Sequence, residues 1–425
     1  MNPMKIKELK EGWLIILATI LQFLLGYPAN ILPMFSILFA PKEKAFNASG
    51  TEKAMIVGLL TVFMNIVSIF AGPLVKARNP RFVAVLATSS QVLGLVICAF
   101  SSSISQIMLG FGIFVGAGVG FALINNIIIT KKNFPNSMGI AIGIALTVIC
   151  LTGLVIPQIF QLLLEYFQGH GDPQNQWTIL IYALLGCVGY LGALLMTSQS
   201  GDEEAAPVDI EADQEQSELK QMYKEFTVLL KDVDYLVTAL ANSCCFSIMV
   251  YSISLLGPIV SSRTLPHSSA DFVTIFCAGN ALSLLPMGLL GDSTILRNMI
   301  KYPKKSLYLA CCVGLTFTFF LLSVSHSYTS LVLGTALLAI FTSGMFITTN
   351  LVYYDCFPTK FESAVGLSNL FRCFFALSIN PLAGYFEGLE DCENMHCSLQ
   401  FLTGTTFFLI LLWIGVPLLF KWRRV

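Results

Sequence analysis

Gln199-Ser-Gly-Asp-Glu-Glu-Ala-Ala-Pro-Val-Asp-Ile-Glu-Ala-Asp-Gln-Glu-Gln-Ser-Glu218 decides how the chain is read. Its eight carboxylates stand where the sequence is otherwise dominated by apolar runs. Such a composition cannot offset the entropy of ordering, so it predicts a disordered divider. On each side of it lie six stretches long enough to cross a bilayer, which takes roughly 20 apolar residues each. The first set covers 13–38, 54–75, 82–102, 104–129, 137–164 and 177–197. The second covers 235–260, 271–291, 305–325, 329–353, 363–386 and 399–420. The fold class is therefore an all-α membrane protein, twelve transmembrane helices in two six-helix bundles. The units are 1–198, a linker at 199–233, and 234–425. Open strands would leave backbone groups unsatisfied in lipid, and no ten-residue alternation of a membrane barrel is present.

Composition agrees. Of 425 residues, 55% are hydrophobic and 12% charged, about half the charged fraction of soluble domains. A net charge of −1 gives no pull toward nucleic acid. No nucleophile–base set, cofactor motif or metal-ligand spacing is present, which argues against an enzyme. The first span follows Lys5, Lys7 and Lys10. It exceeds a signal-peptide core and lacks a small-residue cleavage site, so it reads as a retained helix.

Basic residues fix the orientation, because they accumulate on the cytoplasmic side. Nineteen of the 24 Lys and Arg fall on one side, among them Lys131, Lys132, Lys301, Lys304, Lys360 and Arg424. Lys42, Lys44, Lys53 and Arg263 fall on the other, and one Arg lies inside a span. Both termini and the acidic divider are predicted to be cytoplasmic. Asn47-Ala-Ser49, the chain's single Asn-x-Ser/Thr sequon, then lies in an outer loop as a glycosylation candidate. Ten of the twelve cysteines sit in apolar spans as small hydrophobes. Cys392 and Cys397 lie in a polar outer loop, as a local disulfide or as two free thiols. From Leu219, apolar residues recur at helical spacing through Met222, Tyr223, Phe226, Leu229 and Leu230. This predicts an amphipathic helix on the inner leaflet, or an extension of span seven.

The halves repeat each other. Phe134-Pro135-Asn-Ser137-Met-Gly139 follows span four, and Phe357-Pro358-Thr-Lys360-Phe-Glu-Ser363-Ala-Val-Gly366 follows span ten. Each places Phe-Pro at a cytoplasmic turn before a Gly-containing helix, the mark of parallel repeats about an axis along the membrane normal. With these motifs the chain resembles the major facilitator superfamily. Gly72-Pro-Leu-Val-Lys76-Ala-Arg78-Asn-Pro-Arg81 is similar to that superfamily's loop between helices two and three, with Lys76 where an acid is usual. Gly288-x3-Asp292 and Asp355-x-x-Pro358-Thr-Lys360 resemble its gating loops in the second half. The resemblance implies gating roles for Asp292, Asp355 and Lys360.

Within that superfamily the chain resembles the monocarboxylate transporter family. The matching stretches are Glu11-Gly12-Trp13, Gly116-Ala-Gly118-Val-Gly120, Pro157-x3-Gln161-Leu-Leu-Leu-Glu165, and Gly366 through Arg372 to Asn380-Pro-Leu-Ala-Gly384. The chain departs from that family at two places. The family's substrate-binding lysine of helix one has no match, since span one holds no Lys after Trp13, and its Asp and Arg pair of helix eight is missing, with Leu285 at the arginine position.

Arg372 is the clear ionisable residue inside a span. Such a residue costs about 2.5–3.5 kcal/mol on insertion scales and normally faces a cavity or partner. It is read as neutralising an anionic substrate or an acidic partner; the alternative is that it snorkels to the inner face or braces Asp355 or Glu362. Tyr27 and Asn30 join the candidate substrate site because Pro28 and Pro33 interrupt span one. Gln158 and Gln161 join it because they follow Pro157. Asn125 and Asn380 are further amides within spans. No acid lies at mid-depth, so proton symport and facilitated diffusion both stay open. The expected function is alternating-access transport of a small organic solute, a monocarboxylate or similar anion, across the lipid bilayer. Alternatives are a sugar or neutral-solute carrier, or a non-transporting receptor or chaperone. The expected location is the plasma membrane, and whether a single-pass accessory subunit accompanies the chain is left open.

Overall fold

The computed structural model describes residues 12–26, 28–77, 79–134, 138–172, 175–196, 224–263, 269–291, 303–325, 327–357, 360–387 and 396–422. Every regular element among them is a helix. Spans one to six are Trp13–Gly26 with Pro28–Ala45, Gly50–Ala77, Pro80–Ala99, Ile104–Asn133, Met138–Thr152 with Ile156–Gly169, and Gln176–Gly186 with Val188–Leu195. Spans seven to twelve are Val233–Ser254 with Leu256–Ser261, Ser269–Gly291, Pro303–Val324, Tyr328–Cys356, Phe361–Glu387 and His396–Trp422. Among the described residues nine helices are long and apolar enough to cross a membrane, and two shorter apolar helices cover 13–24 and 270–284. The layout is twelve helices in two bundles.

The repeat seen in the sequence is present in the backbone. Span four closes on Phe134, with φ −130° and ψ 59°, whose N–H donates to the Thr130 carbonyl. Span ten closes on Phe357, with φ −135° and ψ 57°, whose N–H donates to the Tyr353 carbonyl. A residue before proline is kept out of the helical region, so both helices stop at the same point of the motif. Pro135 and Pro358 themselves lie outside the described residues.

A second repeat, unforeseen in the sequence, lies at the opposite end of the helices. Lys42, at the end of span one, donates from Nζ to the Ala99 carbonyl (2.9 Å), the Ser101 carbonyl (3.1 Å) and the Ser101 hydroxyl (3.1 Å). Arg263, at the end of span seven, donates from Nη2 to the Leu322 carbonyl at 2.7 Å. The last carbonyls of a helix lack intrahelical donors and carry partial negative charge, which a cation satisfies. Each half thus uses the basic end of its first helix to cap its third. Burial depresses the Lys42 amine below its ordinary value. Two of the four basic residues on the predicted outer side are accounted for in this way.

Several spans are irregular. Span one restarts with Pro28 as its first helical residue, where a missing N–H costs nothing. Span five breaks into turn at 153–155 and resumes with Pro157 in its first turn. Span four carries a π-helical stretch, Met108–Val115, a feature frequent at functional sites. The Gly-rich run after it allows backbone contact. A side chain at Gly116 or Gly120 would strike the carbonyls of Leu60 or Met64 on span two, and one at Gly118 that of Ala87 on span three.

Residues 199–223 of the acidic divider lie outside the described residues. Residues 224–229 are helical, and a turn and the Asp232 cap separate them from span seven. Leu229 and Phe226 pack with Tyr235, Tyr353, Ala364 and Leu367, and the Ser363 hydroxyl donates to Glu225 at 2.6 Å. This short helix seats its apolar side on the second bundle.

Candidate functional site

Arg372 lies in span eleven and is 7% exposed. Its guanidinium sits 4.3 Å from the centre of the Phe246 ring on span seven, and Nη1 donates to Asn369 Oδ1 at 3.0 Å. Tyr235, Tyr308 and Tyr353 lie within its electrostatic reach. Nε and Nη2 have no hydrogen-bond partner among the described residues. A buried guanidinium left partly unpaired costs several kcal/mol, which an incoming anion offsets.

Span seven is joined to span eleven through hydroxyls. Ser243 donates to the Ser368 carbonyl (3.0 Å) and Ser247 to the Arg372 carbonyl (3.3 Å). Asn242 stands one turn before Phe246, fully buried, and neither atom of its amide is partnered. Positions four apart share a helix face, so Asn242 belongs to the face that carries the ring under Arg372. It was absent from the sequence-derived set. The closely spaced small polar residues of Asn242-Ser243-Cys244-Cys245-Phe246-Ser247 were the available signal.

The other expected substrate residues disperse. Gln158 donates to Asp271 Oδ1 (3.2 Å) and Thr274 Oγ1 (3.1 Å), linking spans five and eight across the two halves. Gln161 donates to Glu165 one turn along its own helix at 3.0 Å. Asn125 donates to the Pro80 carbonyl (3.2 Å) and Met196 Sδ (3.4 Å), a bracing contact within the first bundle. Asn380 is fully buried with both amide atoms unpartnered, and it faces span two near Gly58. Tyr27 lies outside the described residues, and Asn30 is described only as helical backbone. Arg372 and Asn380 of span eleven, and Asn125 through its Oδ1 alone, are thus the members left with unsatisfied buried polar atoms among the described residues.

Of the gating residues, Asp292 lies outside the described residues and Asp355 is described only as helical backbone. Lys360 is half-buried, its N–H donating to the Phe357 carbonyl at 3.1 Å. Asn47 is exposed, with φ 51°. Ser49 of its sequon caps span two in a reciprocal box: Glu52 Oε2 accepts from the Ser49 N–H at 2.8 Å, and the Ser49 hydroxyl accepts from the Glu52 N–H at 3.2 Å. Cys397 is disulfide-bonded; Cys392 lies outside the described residues.

The halves meet toward the first-loop end. Gly50 of span two and Gly384 of span eleven touch backbone to backbone, so a side chain at either strikes the other's carbonyl. Farther in, Cys373 Sγ approaches the Val62 carbonyl at 3.6 Å. Ser36 of span one fills the space beside Gly257 of span seven. Two carboxylates lie at this seam, both at helix ends: Glu43 is buried and Glu387 half-buried. Glu43 is 8% exposed and pairs with Lys53 at 3.9 Å. Burial pushes its carboxyl up to about 7, with the charge of Glu387 adding to the effect and Lys53 opposing it. Glu387, at the end of span eleven, is likewise raised by burial, opposed by Lys53 and by a contact from Tyr251.

This architecture has known counterparts. The sequence is 24% identical to human monocarboxylate transporter 2 over 431 residues, covering 97% of this chain and 88% of the relative. It is 22% identical to the Meriones unguiculatus protein of the same name, over 95% of this chain and 83% of that one. Among solved structures, a POT family transporter in complex with 5-aminolevulinic acid superposes with a TM-score of 0.67 at 14% identity, covering 96% of this chain and 95% of that one. The nucleoside transporter NupG gives 0.63 at 14% identity, covering 95% and 98%. The profile of the Major Facilitator Superfamily matches residues 14–381. The chain belongs to the Major Facilitator Superfamily and is monocarboxylate-transporter-like in sequence.

Proposed function

We propose that this secondary transporter carries a small organic anion, a monocarboxylate or a near relative, and that Arg372 is its charge-recognising residue. The observation that carries the reading is the buried guanidinium with two nitrogens unpartnered and one face covered by Phe246. A carboxylate fits that arrangement because it accepts two parallel N–H bonds from a guanidinium. The ring supplies an apolar wall for the rest of a small acid. Asn242, on the same face of span seven, supplies a donor and an acceptor for a hydroxyl or keto group. The likeness to monocarboxylate transporter 2 supports the same substrate class. We place the protein in the plasma membrane with both termini cytoplasmic, Asn47 glycosylated outside, and Asp292, Asp355 and Lys360 at the cytoplasmic gate.

A second reading, carriage of a neutral polar solute, is favoured by the unpartnered amides of Asn126, Asn242 and Asn380. Uptake of labelled monocarboxylates and sugars into proteoliposomes separates the two. The anion reading expects carboxylate uptake that Arg372→Ala lowers at least about tenfold, the loss of one to two charge-assisted bonds, with partial recovery in Arg372→Lys. Carboxylate uptake untouched by Arg372→Ala contradicts it, and sugar uptake alone supports the second reading.

A further inference from the structure

Glu43, Lys53, Tyr251, Glu387 and Ser398 are not used by the substrate reading, yet they converge where the two halves are closed. Glu43 comes from the end of span one and Lys53 from the start of span two, both in the first bundle. Glu387 ends span eleven, Tyr251 lies in span seven and Ser398 in span twelve, all in the second. The Tyr251 hydroxyl, 2% exposed, lies against the Glu387 carboxyl and the Ser398 hydroxyl, and has no tighter hydrogen bond among the described residues. One lysine serves both carboxyls: Lys53 acts on Glu43 and on Glu387. The neighbouring Lys42 is turned away, onto the end of span three.

Two acids sharing one cation, with Glu43 buried and Glu387 half-buried, cannot both stay ionised without an unbalanced negative charge. The backbone contact of Gly50 with Gly384 holds the two halves together beside them. Opening this face would return the carboxyls to water. We infer that Glu43 and Glu387 form a proton-binding latch across the seam, taking up one proton when the first-loop face closes and releasing it when that face opens. The latch rests on the alternating-access part of the proposed function and not on the identity of the solute.

The sign follows from the position of Glu43. Closed, it holds its proton up to about 7; exposed, it returns toward the ordinary 4.5. Closure is therefore fully favoured below the ordinary value and loses that support as pH rises through about 7. Between about pH 7.5 and about pH 5.5 the closed-to-open ratio rises on the order of tenfold. Lys53 opposes protonation of both acids, so its removal shifts the midpoint to higher pH.

The test places nitroxide pairs on the full-length protein in proteoliposomes, at Gly169→Cys in the first half and Thr329→Cys in the second. Gly169 has open space around it and Thr329 is exposed. Cys187 and Cys356 are changed to Ser in the background. Double electron–electron resonance then reads the distance across the first-loop face from about pH 5 to about pH 8.5. The latch expects the short-distance population to grow as pH falls, Glu43→Gln with Glu387→Gln to remove the pH dependence, and Lys53→Met to move its midpoint upward. A pH-independent distribution in the unsubstituted protein overturns the latch, as does a pH response that survives in the double variant. If the distance still responds to solute while ignoring pH, alternating access stands and only the latch fails. A distance that responds to neither removes both.

Discussion

Arg372 concentrates the chemistry of this chain because it combines a permanent charge with incomplete pairing. Burying its guanidinium under the Phe246 ring (4.3 Å) and giving it one side-chain acceptor, Asn369, leaves Nε and Nη2 without a partner among the described residues, which is what the proposed anion would use. A cation–π contact of this kind contributes on the order of 1 kcal/mol. Phe246→Leu is thus expected to weaken carboxylate binding severalfold while leaving selectivity for anions intact; isothermal titration of purified protein measures it. Asn242→Ala carries a sharper expectation. It should discriminate hydroxy- or keto-acids from their unsubstituted analogues, reducing binding of the former by about fivefold or more and sparing the latter. Equal losses for both classes would show that Asn242 serves packing alone. Arg372 was legible in the sequence because a charge within an apolar run is conspicuous. Asn242 was not, because an amide among serines and cysteines looks the same whether it bonds a neighbouring helix or nothing. Gln158 shows the converse: its position after Pro157 suggested a ligand contact, while its actual partners, Asp271 and Thr274, lie more than a hundred residues away.

At the scale of elements, each bundle is fastened by the basic end of its first helix. Lys42 satisfies two carbonyls and a hydroxyl at the end of span three, whereas Arg263 reaches one carbonyl at the end of span nine. Lys42→Met keeps most of the side-chain volume and removes the donors, so it should cost about 1–3 kcal/mol. Arg263→Met should cost less. Thermal unfolding in detergent checks both, and an unchanged midpoint for Lys42→Met would remove the capping account. The Phe-Pro turns were legible because proline restricts the residue before it whatever surrounds it. The π-helical stretch Met108–Val115 and the break at 153–155 were not. Their cause is the fit of one helix against another, and local propensity carries no record of it.

Across the whole molecule, the two-bundle layout follows from hydrophobic length alone, which is why the acidic divider revealed it. The closed seam does not, since Gly50 and Gly384 are far apart in the chain. Gly384→Ala is expected to wedge that seam, because its methyl group meets the Gly50 carbonyl. The 169–329 nitroxide distance should lengthen at every pH; no change would mean that the seam yields without opening. Glu43 and Glu387 likewise escaped notice, for each sits at the end of a span, where exposure is the rule, and it is packing between distant helices that buries the first and half-buries the second. The central claim is that the protein alternates access around an anion held by Arg372. Counterflow tests it most directly, since it needs neither a gradient nor knowledge of the coupling ion. Vesicles preloaded with unlabelled monocarboxylate should accumulate the labelled acid transiently, and Arg372→Gln should abolish the overshoot at unchanged protein incorporation. No overshoot for any carboxylate, or an overshoot of full size in Arg372→Gln, would contradict the account.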